Sequence, residues 1–242
     1  MERLSGAAER LDGPLDDRAA LVGNLRDLRR VNRHLGGLAL SAQGLDLLAD
    51  GRSELTLLDV GTGGADIPVA LIRAWRRGRR RLHVVALDSQ PAILEAAVLA
   101  DPRLPAVDEL ELHLGDGRAL PYPDGSFDVA HLSLVLHHLE PEAAVAMLRE
   151  VRRVARLGVV VNDLARGRLA LLGAWLLVHL FTANQFTRHD APLSVRRAYT
   201  PDEIAELLGA AGLREIARKR GPFGHRWALV AMPSDAPEVR PR

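Results

Sequence analysis

Residues 55–66 read LTLLDVGTGGAD. The mostly apolar run from Leu55 to Val60 reads as a short buried strand. Gly61, Gly63 and Gly64 come directly after it, and they let the backbone turn sharply and approach a ligand with no Cβ in the way. Asp66–Arg77 then has helical spacing, with Val69, Ile72 and Trp75 facing inward. A strand, a glycine turn and a helix in that order open an α/β sheet.

The alternation continues downstream. Leu82–Leu87 is a second strand, and Pro91–Ala100 a helix with Ser89 as its N-cap and Pro91 near its first turn. Residues 110–114 and Phe127–Leu132 are the third and fourth strands. Pro141–Ala155 is a helix and Leu157–Val161 the fifth strand. The segment from about 164 to 198 breaks the rhythm as an insertion. Thr200-Pro201-Asp202-Glu203 is a capping box that opens a helix to about Ala211, with Gly212 as its stop. Residues 213–219 and 225–231 make two last strands around Gly221–Gly224. The pattern predicts an α/β domain over residues 51–232, a doubly wound, mostly parallel seven-stranded sheet, with its ligand beyond the carboxyl ends of the strands. Residues 1–50 are expected to form a helical N-terminal cap, and residues 233–242 a disordered tail.

The chain has 242 residues, 48% hydrophobic and 26% charged, which suits one large globular domain. Its 32 basic and 31 acidic residues leave a net charge of +1, so no global field draws it to nucleic acid or to an anionic membrane. The lack of cysteine excludes disulfide scaffolds, zinc fingers, iron–sulfur clusters and thiol catalysis, and fits a reducing cytoplasm. Lys219 is the sole lysine, a sign of coding bias in a high-GC bacterial genome. Met1–Arg10 is polar and has no signal-peptide pattern. Leu169–Phe181 is the strongest apolar run, yet it falls short of the roughly 20 residues a membrane helix needs, so no stable insertion is expected. It reads as a buried helix, a hydrophobic lid over a substrate, or an interfacial membrane contact. The arginines from Arg73 to Arg81 read as a solvated helix end; RNA contact would want more interleaved aromatics than this chain has.

Three acidic loops lie at strand ends. Asp59 precedes the glycines, Asp88 ends the second strand, and Asp116 lies between Gly115 and Gly117. Asp88 suits ribose hydroxyls or a helix cap, and Asp116 an adenine amino group or a simple turn. A nicotinamide site of the G-x-G-x-x-G type would need glycine where Asp66 stands. Three carboxylates with no lysine or arginine in the loops suit a positively charged nucleoside better than a pyrophosphate.

LDVGTGGAD (58–66), ALDSQPAIL (86–94) and GDGRALPYPDGSFDVAHLSLVLHHL (115–139) together resemble the motifs of class I S-adenosylmethionine-dependent methyltransferases. The likeness runs from about residue 55 to 163, with a looser fit through AYTPDEIAELLGAAGL. It implies a Rossmann-like methyltransferase fold, S-adenosyl-L-methionine as cofactor, S-adenosyl-L-homocysteine as product, and no metal. By the same likeness Asp59 and the Gly61-Thr62-Gly63 loop would hold the methionine end, Asp88 with Ser89 the ribose, and Asp116 with Gly117 the adenine. Leu132 and Ser133 would line the wall beside the methionine moiety. Ala65 stands where a third glycine is frequent, and Ala155-Arg156-Leu157-Gly158 replaces the usual Pro-Gly-Gly. NRHLGG (32–37), VVVNDLARGRLA (159–170) and RHDAPLSVRRAYT (188–200) are similar to small-molecule enzymes of quinone biosynthesis and of phenolic polyketide metabolism in bacteria.

That resemblance implies a small hydrophobic acceptor, phenolic or quinone-like, with O-methylation favoured over C-methylation. A phenol calls for a general base, and histidine titrates near working pH. His138 and His189 are the candidates, the latter beside Asp190; each has a packing role as its alternative. Of the neighbours His137 and His138, one is expected to face the cleft. Asp163 would bind acceptor or cap the segment after the fifth strand. The rivals are a nucleic-acid or protein methyltransferase and a protein that binds the cofactor without transferring methyl.

Overall fold

The computed structural model describes residues 1–236. Seven strands form one sheet in the order β3-β2-β1-β4-β5-β7-β6. They are β1 (Glu54–Val60), β2 (Arg81–Asp88), β3 (Leu110–Leu114), β4 (Phe127–Ser133), β5 (Ala155–Leu164), β6 (Leu213–Arg220) and β7 (Arg226–Pro233). β1 to β5 pair in parallel, while β7 runs antiparallel between β5 and β6. The doubly wound, mostly parallel expectation therefore holds.

Helices cover both faces. On one, α2 (Gly37–Ala49) and α3 (Asp66–Arg77) bury Leu45, Leu48, Leu71, Ile72 and Trp75 against Leu57, Val84 and Val160. On the other, α5 (Pro141–Val154) and α8 (Pro201–Ala210) bury Leu148, Val151, Ile204 and Leu208 against Ala130, Val159 and Leu229. α1 (Arg18–His34) packs on α4 (Pro91–Ala100) through Leu21, Leu25 and Ile93. The Thr200/Glu203 capping box at the start of α8 is present in both directions, Thr200 Oγ1 accepting from the Glu203 N–H and Glu203 from the Thr200 N–H.

Four boundaries or caps differ from expectation. The N-cap of α4 is Gln90, not Ser89, and no side chain caps it. β5 begins at Ala155 and runs on through Asp163, because a register irregularity between Phe127 and Val129 lets the Ala-Arg-Leu-Gly turn join the strand. The insertion is two helices, α6 (Arg168–Phe181) and α7 (Gln185–Arg197). Pro233 closes β7, so the region expected to be a tail begins inside the sheet; residues 237–242 of it lie outside the described residues. The buried-helix reading of the 169–181 run is excluded: Val178 is the one buried residue of α6.

Sheet order reverses where β1 lies between β2 and β4. Beyond that edge the turns after β1, β2, β3 and β4 meet, and a cavity opens there, as the topology requires.

Candidate active site

The cavity encloses about 1130 Å³. Its floor is the strand-end turns, and its roof is the N-terminal segment around Glu9 together with α1, α6 and α7. Single small-molecule pockets typically occupy roughly 300–1,000 Å³. There is room for a nucleoside and a second ligand.

Gly61 and Gly63 adopt φ of 70° and 54°, a region that favours glycine. A Cβ at Gly61 would also sit 2.5 Å from Val135 Cγ2. The tight turn is pinned from below, since the Leu87 carbonyl accepts from the N–H groups of both Gly61 and Thr62. Ala65 occupies the left-handed region as well, with φ 51°, and its methyl is fully buried beside Leu21 and Val69.

Asp88 is buried on the cavity wall and accepts from the N–H groups of Gly63 (3.0 Å) and Gln90 (3.2 Å). Burial raises its pKa. Asp116 also lines the cavity, but Arg118 grips its carboxylate at 2.8 Å and holds it below the usual range. That guanidinium corrects the picture of three acidic loops free of cations. Thr62, Gly63, Ser89, Gly117 and Ser133 line the cavity beside them.

Two predicted cofactor residues lie elsewhere. Asp59 is buried off the cavity wall, with its carboxylate 2.5 Å from His131 Nδ1. Leu132 points into the core beside Val60. His131 Nε2 in turn meets Ser41 Oγ at 2.8 Å. Ser41, His131 and Asp59 thus copy the connectivity of a nucleophilic triad. All three are buried away from the cavity, so the chain is structural.

The histidine expectations change more. His189 is half-exposed, bonded to Asp190 at 2.7 Å, and does not line the cavity. His137 and His138 both line it, their rings 4.3 Å apart, because a 3-10 turn over Leu136–His138 turns both toward the same space. His137 Nδ1 meets Asp163 at 2.7 Å, and His138 Nδ1 meets Asp12 at 2.6 Å. Asp163 is fully buried; burial opposes its charge, but His137 outweighs that and lowers its pKa. For Asp12, too, burial is overcome by His138 and Arg197, and its pKa is lowered.

Glu9 faces the Nε2 atoms of both rings and carried no signal in the sequence. Its oxygens lie 3.7 Å from His137 Nε2 and 3.8 Å from His138 Nε2. Ser194 donates to it at 2.9 Å, and Arg197 stands 3.5 Å away. Burial pushes its carboxyl up to about 7. Glu9, His137 and His138 have the atom types of a metal site, with ligand atoms within 4.8 Å of one another. The Ser194 hydroxyl and the Arg197 guanidinium also engage the Glu9 oxygens.

A second group missed by sequence lies under the floor. Arg226 is fully buried and donates to Asn162 (2.7 Å), Asn32 (2.8 Å) and Ser133 (2.8 Å). Burial lowers its pKa to about 10. Asn32 also donates to Asp66 at 3.1 Å, and burial raises the Asp66 pKa.

Comparison with known proteins fits this geometry. Residues 57–158 match a methyltransferase-domain family. A demethylmenaquinone methyltransferase of Roseiflexus castenholzii is 30% identical over 66% of this chain and 68% of its own length. A malonyl-[acyl-carrier protein] O-methyltransferase of Serratia marcescens is 31% identical over 92% of this chain and 82% of its own. The chain belongs to the class I S-adenosylmethionine-dependent methyltransferases. An uncharacterised 37.1 kDa protein in a transposon of Streptomyces fradiae is 39% identical over 69% of this chain, which spans 46% of that protein. Among solved structures, an O-methyltransferase family 2 protein from Planctomyces limnophilus shares the fold, with a TM-score of 0.66 at 18% identity over 90% of this chain and 62% of that one.

The cavity suits the methyltransferase cofactor. Thr62 Oγ1 and Asn24 Oδ1 are buried on its wall with no hydrogen-bond partner among the described residues, which is costly unless a ligand satisfies them. S-adenosyl-L-methionine supplies a methyl group on a sulfonium. No described helix is long and apolar enough to cross a membrane.

Proposed function

We propose that this methyltransferase acts on a small apolar acceptor, an aromatic hydroxyl or quinone-like ring, and that His137 and His138 serve its deprotonation. Asp88 with Ser89 would hold the ribose, Asp116 with Gly117 the adenine, and the Gly61–Gly64 turn with Thr62 the amino-acid end. The carrying observation is the pair of carboxylate-tethered imidazoles on a wall shared with the apolar side chains of α6.

Each Nδ1–H donates to a carboxylate, which leaves Nε2 as the proton acceptor. The acceptor oxygen would lose its proton to Nε2 as it bonds to the methyl carbon. Bound S-adenosyl-L-methionine would supply the methyl carbon and, in its sulfonium, the leaving group that takes up the electrons of the carbon–sulfur bond. Glu9, with its carboxyl near neutrality, stands ready to take the proton on. Positioning supplies most of the barrier reduction, roughly 7–11 kcal/mol, and a base roughly 10²–10⁴-fold more. Leu169, Ala170, Ala174, Leu177 and Val178 of α6 present only apolar surface to the cavity, which suits a greasy acceptor. The Planctomyces structure was solved with apigenin, a ligand of this chemical kind.

The test is incubation with methyl-labelled cofactor and a panel of phenols and quinones, read by mass spectrometry. Label on an aromatic oxygen is expected. His137→Gln and His138→Gln should lower kcat by tenfold or more while cofactor affinity stays within about twofold. Full rate in both variants, or label only on protein or RNA, would overturn the assignment.

A further inference from the structure

α6 carries two faces. Positions 169, 170, 173, 174, 177 and 178 line the cavity. Positions 172, 175, 176, 179 and 180 recur at helical spacing and are not part of that wall, so they form one stripe. Apart from the exposed His179, whose ring stacks on Trp175, that stripe is apolar and open to solvent: Leu172 is 54% exposed, Trp175 49%, Leu176 43% and Leu180 72%, and Phe181 stands exposed at the end of the helix. A soluble surface rarely keeps so many large apolar side chains together without a partner.

We propose that this outer face of α6 docks on an anionic lipid surface. Charge chooses that occupant. Over the three roof helices α1, α6 and α7 the exposed charged side chains are all arginines, among them Arg26, Arg30, Arg33, Arg168, Arg188 and Arg196. The acids of those helices, Asp27 and Asp190, are buried. The whole chain carries only +1, so the excess is local.

The cations also flank the stripe. Arg168 is the first residue of α6. At the other end, Arg188 donates to the Thr182 carbonyl at 2.7 Å, directly after Phe181. The Thr182 hydroxyl donates to Asp27, which also holds Arg30 at 2.6 Å. Asp16 and Asp17, exposed just outside α1, are two acids at the same end, and Asp17 accepts from Gln185. An apolar stripe with a tryptophan, bordered by arginines, is the pattern of a helix that lies in the headgroup region of a leaflet. With 14 residues α6 rests on the bilayer and does not span it. Docking does not depend on the acceptor assignment, and its test reads no methyl transfer.

Trp75 and Trp227 are buried, so a change in tryptophan emission reports Trp175. The full chain is mixed with vesicles of phosphatidylcholine, or of phosphatidylcholine with phosphatidylglycerol, and followed by flotation and fluorescence. Binding to the anionic vesicles with a blue shift, weakened by added salt, is expected. The pair Leu176→Glu and Leu180→Glu lies off the cavity wall. It should cut partitioning by about tenfold or more, since burying one leucine is worth at least that factor. Cofactor affinity in that variant should match the parent, which shows that the fold survives. No flotation with either vesicle overturns the proposal. Equal binding to neutral vesicles overturns the choice of anionic lipid. A dimer in sizing and light scattering that hides Trp175 and prevents vesicle binding assigns the face to a second copy instead.

Discussion

Replacing Glu9 by glutamine should change how stability depends on pH. In the folded chain burial lifts the carboxyl from 4.5 to about 7, while the unfolded chain keeps the ordinary value. Between those limits the folded state retains a proton that the unfolded state has lost. Stability contributed at Glu9 is therefore fully present below pH 4.5 and is lost as pH rises through 7. Each pH unit between the two values is worth about 1.4 kcal/mol, so the loss amounts to about 3 kcal/mol. Glu9→Gln keeps the side-chain length and the hydrogen bond from Ser194, but cannot ionise. The stability of wild type minus that of the variant should fall by about 3 kcal/mol from pH 4 to pH 8. For a chain of this size that is roughly 6–12 °C in Tm. The assay is urea unfolding or calorimetry of both proteins at matched pH and without cofactor, so that shared titrations cancel in the difference. A difference that stays flat from pH 4 to pH 8 would refute a buried, proton-holding Glu9.

Asp88→Ala should weaken S-adenosyl-L-homocysteine binding by roughly 10–150-fold, about 1.5–3 kcal/mol for a hydrogen bond to a charged group, as read by calorimetric titration; unchanged affinity would remove Asp88 from the cofactor site. Gly61→Ala forces a methyl into the left-handed region and against Val135, and should cost about 1–3 kcal/mol of stability in urea unfolding together with measurable cofactor affinity. Arg226→Ala strands the oxygens of Asn162, Asn32 and Ser133, and should lower stability by about 1–3 kcal/mol for each acceptor left unsatisfied, in the same measurement.

The sheet was legible because its signals are local. β1, β2 and the middle of β5 announced themselves by short apolar runs, and the turns after β1 and β3 by glycine directly after the strand. Asp59 misled for a reason the register makes plain: it sits opposite His131 across β1 and β4, so two polar residues satisfy each other inside the sheet. Leu132 pairs with Val60 and shares its core side. The roof was harder to read. Pro192 lies inside α7 and disguises it as irregular sequence, although the Asn184 cap at its start is a fair clue. His189 looked like a base because Asp190 stands next to it, but Asp190 turns inward to accept from the N–H groups of Arg10 and Leu11. Glu9 and Arg226 could not be picked out, since their surroundings come from segments far apart in the chain.

Those distances have a kinetic consequence. Glu9 meets Ser194 across 185 positions, and Arg3 meets Glu140 across 137. Closing such loops is slow compared with forming neighbouring strand–helix units. During refolding, backbone circular dichroism should therefore recover ahead of the capacity to bind S-adenosyl-L-homocysteine, and the chamber over the strand ends should be the last part of the molecule to mature.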